Sequence, residues 1–352
     1  MTKNQISAIA YRLIIYILQS FCRDAKPAKG GVKSKGCLEF LSGMNAKYLT
    51  IVGLGEVLWD MLPAGKQLGG APANFAYMAG LLGDRGVVAS RIGSDALGTE
   101  LCDALTKLGL GTSFLQADLE HPTGTVKVEI DRDGQPSYEI TESVAWDFLE
   151  YNHEWQSLAR QADAICFGSL AQRSPKSRET IRAFLKAARP DAARIFDVNL
   201  RQEFYSANVI AESAKLADII KLNDRELPRV MQLLGLAYDD EKSSAQRLLR
   251  ATGVKLVCVT RGLQGSLVAD ANGSNERLGL SVQVADAVGA GDAFAAALVH
   301  HFLRGSPLAV MNEAANRMGA WVVGHVGATP PADDEVLNKV RAAKRSTPYD
   351  PC

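Results

Sequence analysis

An excess of charge of either sign is the first thing this sequence lacks. Lys and Arg number 39 in 352 residues and Asp and Glu also number 39, so the formal net charge is zero with the five histidines neutral. A dedicated nucleic-acid binder needs a basic face, and this balance excludes that footprint. A membrane-spanning run is missing as well. The apolar stretch at residues 8–21 carries Arg12 and is too short to cross a bilayer. No small-x-small cleavage site follows it, only the basic, Gly/Lys-rich residues 25–36. The six cysteines (22, 37, 102, 166, 258 and 352) form no CxxC pair and no recurring spacing. That fits reduced thiols in a cytoplasmic protein rather than a disulfide frame. The adjacent pair His300–His301 has no cysteine near it in sequence, which argues against a zinc site. Two common nucleotide loops are lacking too. Gly65-Lys66 is followed by Gln67, so there is no Walker A loop, and Gly53-Leu54-Gly55 has no third glycine for a dinucleotide fingerprint.

What is there is an ordinary globular composition, 47% hydrophobic and 22% charged. From Tyr48 onward, short apolar runs (49–55, 87–93, 164–169, 194–199, 218–223, 255–260, 266–270) alternate with amphipathic helical patterns (73–82, 95–108, 175–188, 207–216, 224–235, 242–251). Several runs are apolar throughout, as in strands buried on both faces of a parallel sheet. The order predicts a doubly wound, mostly parallel α/β sheet flanked by helices. Residues 290–345 read as three helices. One segment breaks the rhythm: residues 112–141 contain two alternating strands joined at Asp131–Gly134 with Asp-Gly turn chemistry. Together with Trp59-Asp60-Met61-Leu62 it predicts a small inserted β-sheet, with lid elements around 57–66 and 112–141, able to close over a site. The folded region is expected to begin near Met44 and to run over 48–345, leaving 1–43 as a dispensable extension or a mis-assigned upstream start.

The chemistry-bearing string is Asp286-Ala287-Val288-Gly289-Ala290-Gly291-Asp292-Ala293-Phe294, opening an apolar helix. Glycines at a helix start let backbone N–H groups converge where the dipole adds partial positive charge, which suits a transferring phosphoryl group. Asp292, in the first turn, is placed to accept a hydroxyl proton. A capped, buried helix would carry the same four residues.

This string resembles the C-terminal signature of the ribokinase-like (pfkB) carbohydrate kinase family, with Ala287 where a threonine is usual. Gly69-Gly70-Ala71-Pro72-Ala73-Asn74 is similar to the family's N-terminal motif. Gly55-Glu56-Val57-Leu58-Trp59-Asp60, Asp147 within 145–148, and Phe196-Asp197-Val198-Asn199-Leu200-Arg201 resemble the bacterial fructokinase branch. The resemblance covers about 48–335 and implies a ribokinase-like fold.

It also implies roles. Asp292 is the catalytic base, and Gly289, Ala290 and Gly291 form the anion hole. Gly69 and Gly70 line the sugar pocket and act as a hinge, while Asp60 and Asn74 hydrogen-bond sugar hydroxyls. Arg201 offsets phosphate charge or contacts substrate. Asn223 and Glu226 match the motif that orders Mg²⁺-bound water and phosphate; as plain local structure, residues 223–226 also form a helix capping box. Thr260, Gly262 and Gly265 resemble the loop that carries the nucleotide phosphates, and Asn316 matches a position near the adenine. Asp286 and Val288, with the Gly324–Gly327 loop, correspond to the monovalent-cation site of potassium-activated members.

The expectation is therefore an ATP- and Mg²⁺-dependent cytoplasmic sugar kinase, with K⁺ as a candidate further cofactor and no nucleic-acid or membrane partner. The expected reaction is D-fructose to fructose 6-phosphate. Ala71, in a place where ribose-using members often carry lysine, disfavours ribose. Ribokinase, 2-keto-3-deoxygluconate kinase and nucleoside kinase are the alternatives within the family, and a non-catalytic sugar-binding protein is the alternative outside it. The inserted strands have edges to cover, so a homodimer through the lid sheets is expected.

Overall fold

The computed structural model describes residues 48–63, 65–130 and 136–343; the expected extension at 1–43 and the turn at 131–134 lie outside the described residues. In chain order the first elements are β1 (Thr50–Leu54), β2 (Leu58–Leu62), β3 (Gly65–Gly69), α1 (Ala71–Leu81), β4 (Arg85–Gly93), α2 (Ala96–Lys107) and β5 (Leu115–Asp118). Next come β6 (Gly124–Ile130), β7 (Pro136–Ile140), α3 (His153–Gln161), β8 (Ala164–Gly168), α4 (Pro175–Ala187), β9 (Ala193–Asp197), α5 (Ala207–Leu216), β10 (Ile219–Asn223) and α6 (Glu226–Leu233). The chain continues through α7 (Glu241–Thr252), β11 (Leu256–Thr260), β12 (Ser266–Asp270), β13 (Gly273–Arg277), α8 (Ala290–Phe302), α9 (Leu308–Val323) and α10 (Asp334–Arg341).

Nine strands form one sheet in the order β13-β12-β11-β10-β9-β8-β1-β4-β5. The strands from β11 to β5 run parallel, and β12 and β13 close one edge antiparallel. The continuous apolar runs are explained by what covers them. Successive strand residues point to opposite faces. Val52, Ile165, Phe196, Ile220 and Val257 pack with α3–α7 residues such as Trp155, Phe184, Ile210 and Leu248. Their neighbours Ile51, Ala164, Ile195, Ile219 and Leu256 pack with α1, α8 and α9 residues such as Phe75, Leu298 and Met318. Both faces are therefore dry, and each fully buried large side chain contributes roughly 1.5–3 kcal/mol. Helix α8 has apolar residues on every side because it lies between the sheet, α1 and α9.

A separate four-stranded sheet has the order β3-β2-β6-β7. It is spliced into the main fold twice: β2 and β3 lie between β1 and α1, and β6 and β7 between β5 and α3. The β6–β7 pair is the hairpin expected from the alternation, with Lys127 opposite Glu139 and Val126 opposite Ile140. Within the span 112–141, however, residues 115–118 belong elsewhere. They form β5, paired in parallel with β4 at the edge of the main sheet. Period-two alternation shows that a segment is a strand, not which sheet it joins. Strand β3 (GKQLG), β13 (GSNER) and the short helix α3 were not expected. The two strands are polar and glycine-bearing, with little intrinsic β preference, and pairing with β2 and β12 holds them extended.

Candidate active site

The carboxyl ends of β1, β8, β9 and β10 converge on one edge of the main sheet, and the first turn of α8 faces them. In an open α/β sheet this edge is where ligands bind. Residues from motifs far apart in sequence meet there. Asn74 on α1 donates its Nδ2–H to Asp292 Oδ2 at 2.8 Å, across 218 residues of chain. Asn74 is 3% exposed, and its own Oδ1 has no hydrogen-bond partner. Gly289 caps α8 at φ 78°, a left-handed conformation, and a Cβ there would lie 2.5 Å from the Ala328 Cβ. The first-turn N–H groups of Gly291 and Asp292 have no carbonyl one turn back, so they are free to meet an anion.

Charge is concentrated around Asp292. Lys221, on β10, donates to both oxygens of Asp197 at 3.0 and 2.9 Å. Both side chains are buried, 8% and 6% exposed. Glu56, between β1 and β2, is 3% exposed, and its Oε2 has no partner. Burial pushes the Glu56 carboxyl up to about 7, against the pull of its own backbone N–H and of Arg201. Asp292 is pushed up to about 6, first by burial and then by the Asp197 charge, while Lys221, Asn74 and Arg201 pull it down. Asp60, on β2 of the second sheet, rises to about 6 mainly by burial, and Arg201 again opposes the shift. Arg201 thus bears on carboxylates from both sheets. Its loop is unusual: Asn199 and Gln202 sit at φ 43° and 46°, left-handed positions that non-glycine residues rarely hold.

Glu226 fixes this loop. Its Oε1 accepts from Leu200 N and its Oε2 from Asn223 N, each at 2.8 Å. Asn223 Oδ1 in turn accepts from the N–H groups of Arg225 and Glu226 at 3.0 and 2.8 Å. This reciprocal pair is a capping box at the start of α6, and it also ties the end of β9 to the end of β10. Each Glu226 oxygen holds one backbone N–H, so the carboxylate retains acceptor capacity for an ordered water. Among the described residues no three His, Cys, Asp or Glu side chains group as a metal cage. The residues present fit a hard cation brought in on phosphate oxygens with its water shell, not one held by the protein alone.

The other expected positions lie as follows. Gly69 ends β3, and a Cβ on it would run into the Asp60 carboxylate. Gly70 stands at φ 107°, where an added Cβ would lie 2.6 Å from the Glu56 carbonyl oxygen. Asn223 and Thr260 are register partners at the ends of β10 and β11. Gly262 and Gly265 follow at φ 55° and 93°, and the turn packs against Gly279. Asn316, on α9, directs its amide to Ser266 Oγ at 2.5 Å and to Asn312, so it is tied into β12. The Asp286 carboxylate accepts from Val288 N at 3.0 Å and Gly327 N at 3.1 Å, joining the two loops named for the monovalent cation.

Sequence reasoning assigned no role to Glu56, Asp197 or Lys221. For Lys221 a signal existed: a single ammonium inside the apolar strand Ile219–Asn223, where unpaired lysine is almost never buried. A narrow, partly open space bounded by Glu56, Pro72, Gly168, Asp197, Asn199 and Asp292 measures about 10 Å³. A larger, open cleft of about 390 Å³ lies between residues 142–148, 172–178 and 203–209, and none of the expected site residues lines it. Asp147 lies there, paired with Arg173 at 2.8 Å, and Arg173 stacks 4.1 Å from the Trp146 ring.

Comparison with known proteins gives the family. Residues 62–335 match the family described as pfkB family carbohydrate kinase. A fructokinase of Vibrio alginolyticus is 30% identical over 270 residues, covering 73% of this chain and 83% of that protein. The crystal structure of an uncharacterised sugar kinase from Pyrococcus horikoshii in complex with ATP superposes with a TM-score of 0.72 at 27% identity, covering 84% of this chain and 99% of that one. A fructokinase from Vibrio cholerae O395, in its fructose-, ADP- and calcium-bound form, gives a TM-score of 0.70 at 25% identity, covering 83% and 98%.

Proposed function

This chain belongs to the pfkB family of carbohydrate kinases and transfers phosphate to a sugar hydroxyl, and we propose that the sugar is D-fructose and the product fructose 6-phosphate, with MgATP as donor. The observation that carries this reading is the Asn74–Asp292 contact. It joins the two motifs into one site at the carboxyl edge of the sheet. Gly55-Glu56-Val57-Leu58-Trp59-Asp60 and Phe196–Arg201 resemble the fructokinase branch, Ala71 disfavours ribose, and fructokinases stand among the relatives.

In the proposed reaction the primary hydroxyl oxygen of the sugar attacks the γ-phosphorus of ATP. The new O–P bond forms as the bond from phosphorus to the β–γ bridging oxygen breaks, and ADP leaves. The hydroxyl proton passes to the Asp292 carboxylate, which Asn74 orients. The anion hole at Gly289, Ala290 and Gly291, extended by the Asp292 N–H, receives the charge on the transferring phosphoryl group. When bound, magnesium neutralises phosphate charge, and Glu226 is placed to hold one of its waters. The reacting hydroxyl points into the narrow space beside Asp292. The ring then lies outward, toward Asp60 and the Gly69–Gly70 turn under the second sheet. The exposed apolar side chains Leu263, Leu278, Val288 and Val326 rim the loops beyond Gly265 and Gly289, where a purine would lie. Among the described residues no helix is long and apolar enough to cross a membrane. Cys102, Cys166 and Cys258 are free thiols, in keeping with a cytoplasmic setting.

A coupled ADP-release assay with MgATP tests the reading, using fructose, ribose, glucose, 2-keto-3-deoxygluconate and adenosine, each with and without K⁺. Fructose should turn over with the highest kcat/KM. Preference for another acceptor keeps the Asp292 chemistry and discards the pocket assignment. A lack of turnover on all five refutes the reading.

A further inference from the structure

The buried Lys221–Asp197 pair has no part in the chemistry described so far, and its position is specific. The Lys221 ammonium is gripped by both carboxylate oxygens of Asp197. It also lies directly beneath the first turn of α8: a Cβ built on Gly291 would be 2.9 Å from Lys221 Nζ. A bare structural ion pair gains little from burial, because desolvation of both charges offsets their attraction. Here the pair is set under the one helix start that must meet phosphate and a catalytic carboxylate together.

We propose that Lys221 is a positioning residue for phosphoryl transfer: clamped by Asp197 beneath Gly291, its fixed ammonium keeps the Asp292 carboxylate ionised while anionic phosphate crowds the same turn. The inference rests on the kinase reading of this site. The groups facing Asp292 are Asn74 from α1, Glu56 from the β1–β2 connection, Cys166 from β8, Asp197 and Arg201 from the end of β9 and the loop after it, and Lys221 from β10. Of these, Asp197 carries the charge that opposes ionisation of Asp292, while the Glu56 carboxyl and the Cys166 thiol are held neutral by burial, and Lys221 is the buried cation among them. Gly291 follows from the same geometry, since any side chain there would displace the ammonium. Asp197 has a double part. It anchors Lys221, and its own charge works against Asp292. Removing either member should therefore move Asp292 in opposite directions, which a merely structural pair would not do.

The test is the acid limb of the kcat–pH profile for the wild type and for Lys221→Gln, Lys221→Arg and Asp197→Asn. Gln leaves Asp197 a hydrogen-bond donor, so the fold is spared an orphaned carboxylate while the charge is lost. Its limb should move up by about one pH unit, which is a tenfold loss of kcat at pH values below the limb. Arg keeps the charge and should retain the wild-type limb. Asn should move the limb down. The ionisation of Asp292 is also followed without turnover, through its ¹³C-labelled carboxyl carbon by NMR in the free enzyme, with the same ordering expected. An unchanged limb in Lys221→Gln, or shifts of the same sign in Lys221→Gln and Asp197→Asn, would overturn the proposal. Absence of wild-type turnover on any sugar strikes the kinase reading instead, and the NMR titration still decides the role of Lys221.

Discussion

Glu56 offers a prediction that reads directly on the electrostatics of the site without depending on substrate. Its carboxyl is 3% exposed, one oxygen has no partner, and burial lifts it from 4.5 to about 7. Below pH 4.5 the folded and unfolded chains both hold the proton. Between 4.5 and 7 the unfolded chain releases it and the folded one keeps it, so the unfolded state gains and stability falls as pH rises. Above 7 both are ionised and the loss is complete. A shift of about 2.5 units at 1.36 kcal/mol each amounts to about 3 kcal/mol. Glu56→Gln keeps the size and polarity of the side chain and removes the titration. The variant should match the wild type near pH 4.5 and exceed it by up to about 3 kcal/mol at pH 8. At about 2 °C per kcal/mol for a domain of this size, the excess is roughly 6 °C in Tm. Asp60 and Asp292 titrate in the same range, so the quantity to plot is the difference between the two proteins from pH 4.5 to 8. A constant difference across that range refutes a buried, proton-holding Glu56.

Other consequences can be checked alongside it. Asp292→Ala should lower kcat by at least the roughly 10²–10⁴-fold that a general base supplies, with ATP affinity by calorimetry little changed; near-normal turnover removes Asp292 from that role. In the wild type the acid limb of kcat/KM should fall near pH 6, since a base held at about 6 in the free enzyme is lost below it. Gly70→Ala forces a side chain into φ 107° and against the Glu56 carbonyl, so it should destabilise by about 1–3 kcal/mol in denaturant titration and raise the sugar KM. An unchanged midpoint would show that the Gly69–Gly70 turn relaxes freely. The second sheet ends in the edge strands β3 and β7; covering them predicts a homodimer, which a monomeric mass by light scattering at micromolar concentration excludes.

Sequence alone carried the doubly wound sheet, most of its buried strands, most of the helices that flank it and the family; the order of the strands in the sheet came from the tertiary structure. Short apolar runs bounded by turn residues read as strands covered on both sides, and Gly69, Gly70, Gly289 and Gly291 serve close approaches or backbone geometries that few other residues permit. Local pattern also placed the capping box at Asn223–Glu226, because its partners are three residues apart. It did not tell that residues 115–118 leave the small sheet for the edge of the large one, or that polar β3 and β13 are strands, since pairing partners decide both. Nor could it see the charge balance of the site. Glu56, Asp197, Lys221 and Asp292 come from four segments spread over more than 200 residues, and each is unremarkable by itself. Their effect on one another depends on separation and on the loss of water between them, which arise only when the sheet brings its strand ends together and α8 closes over them.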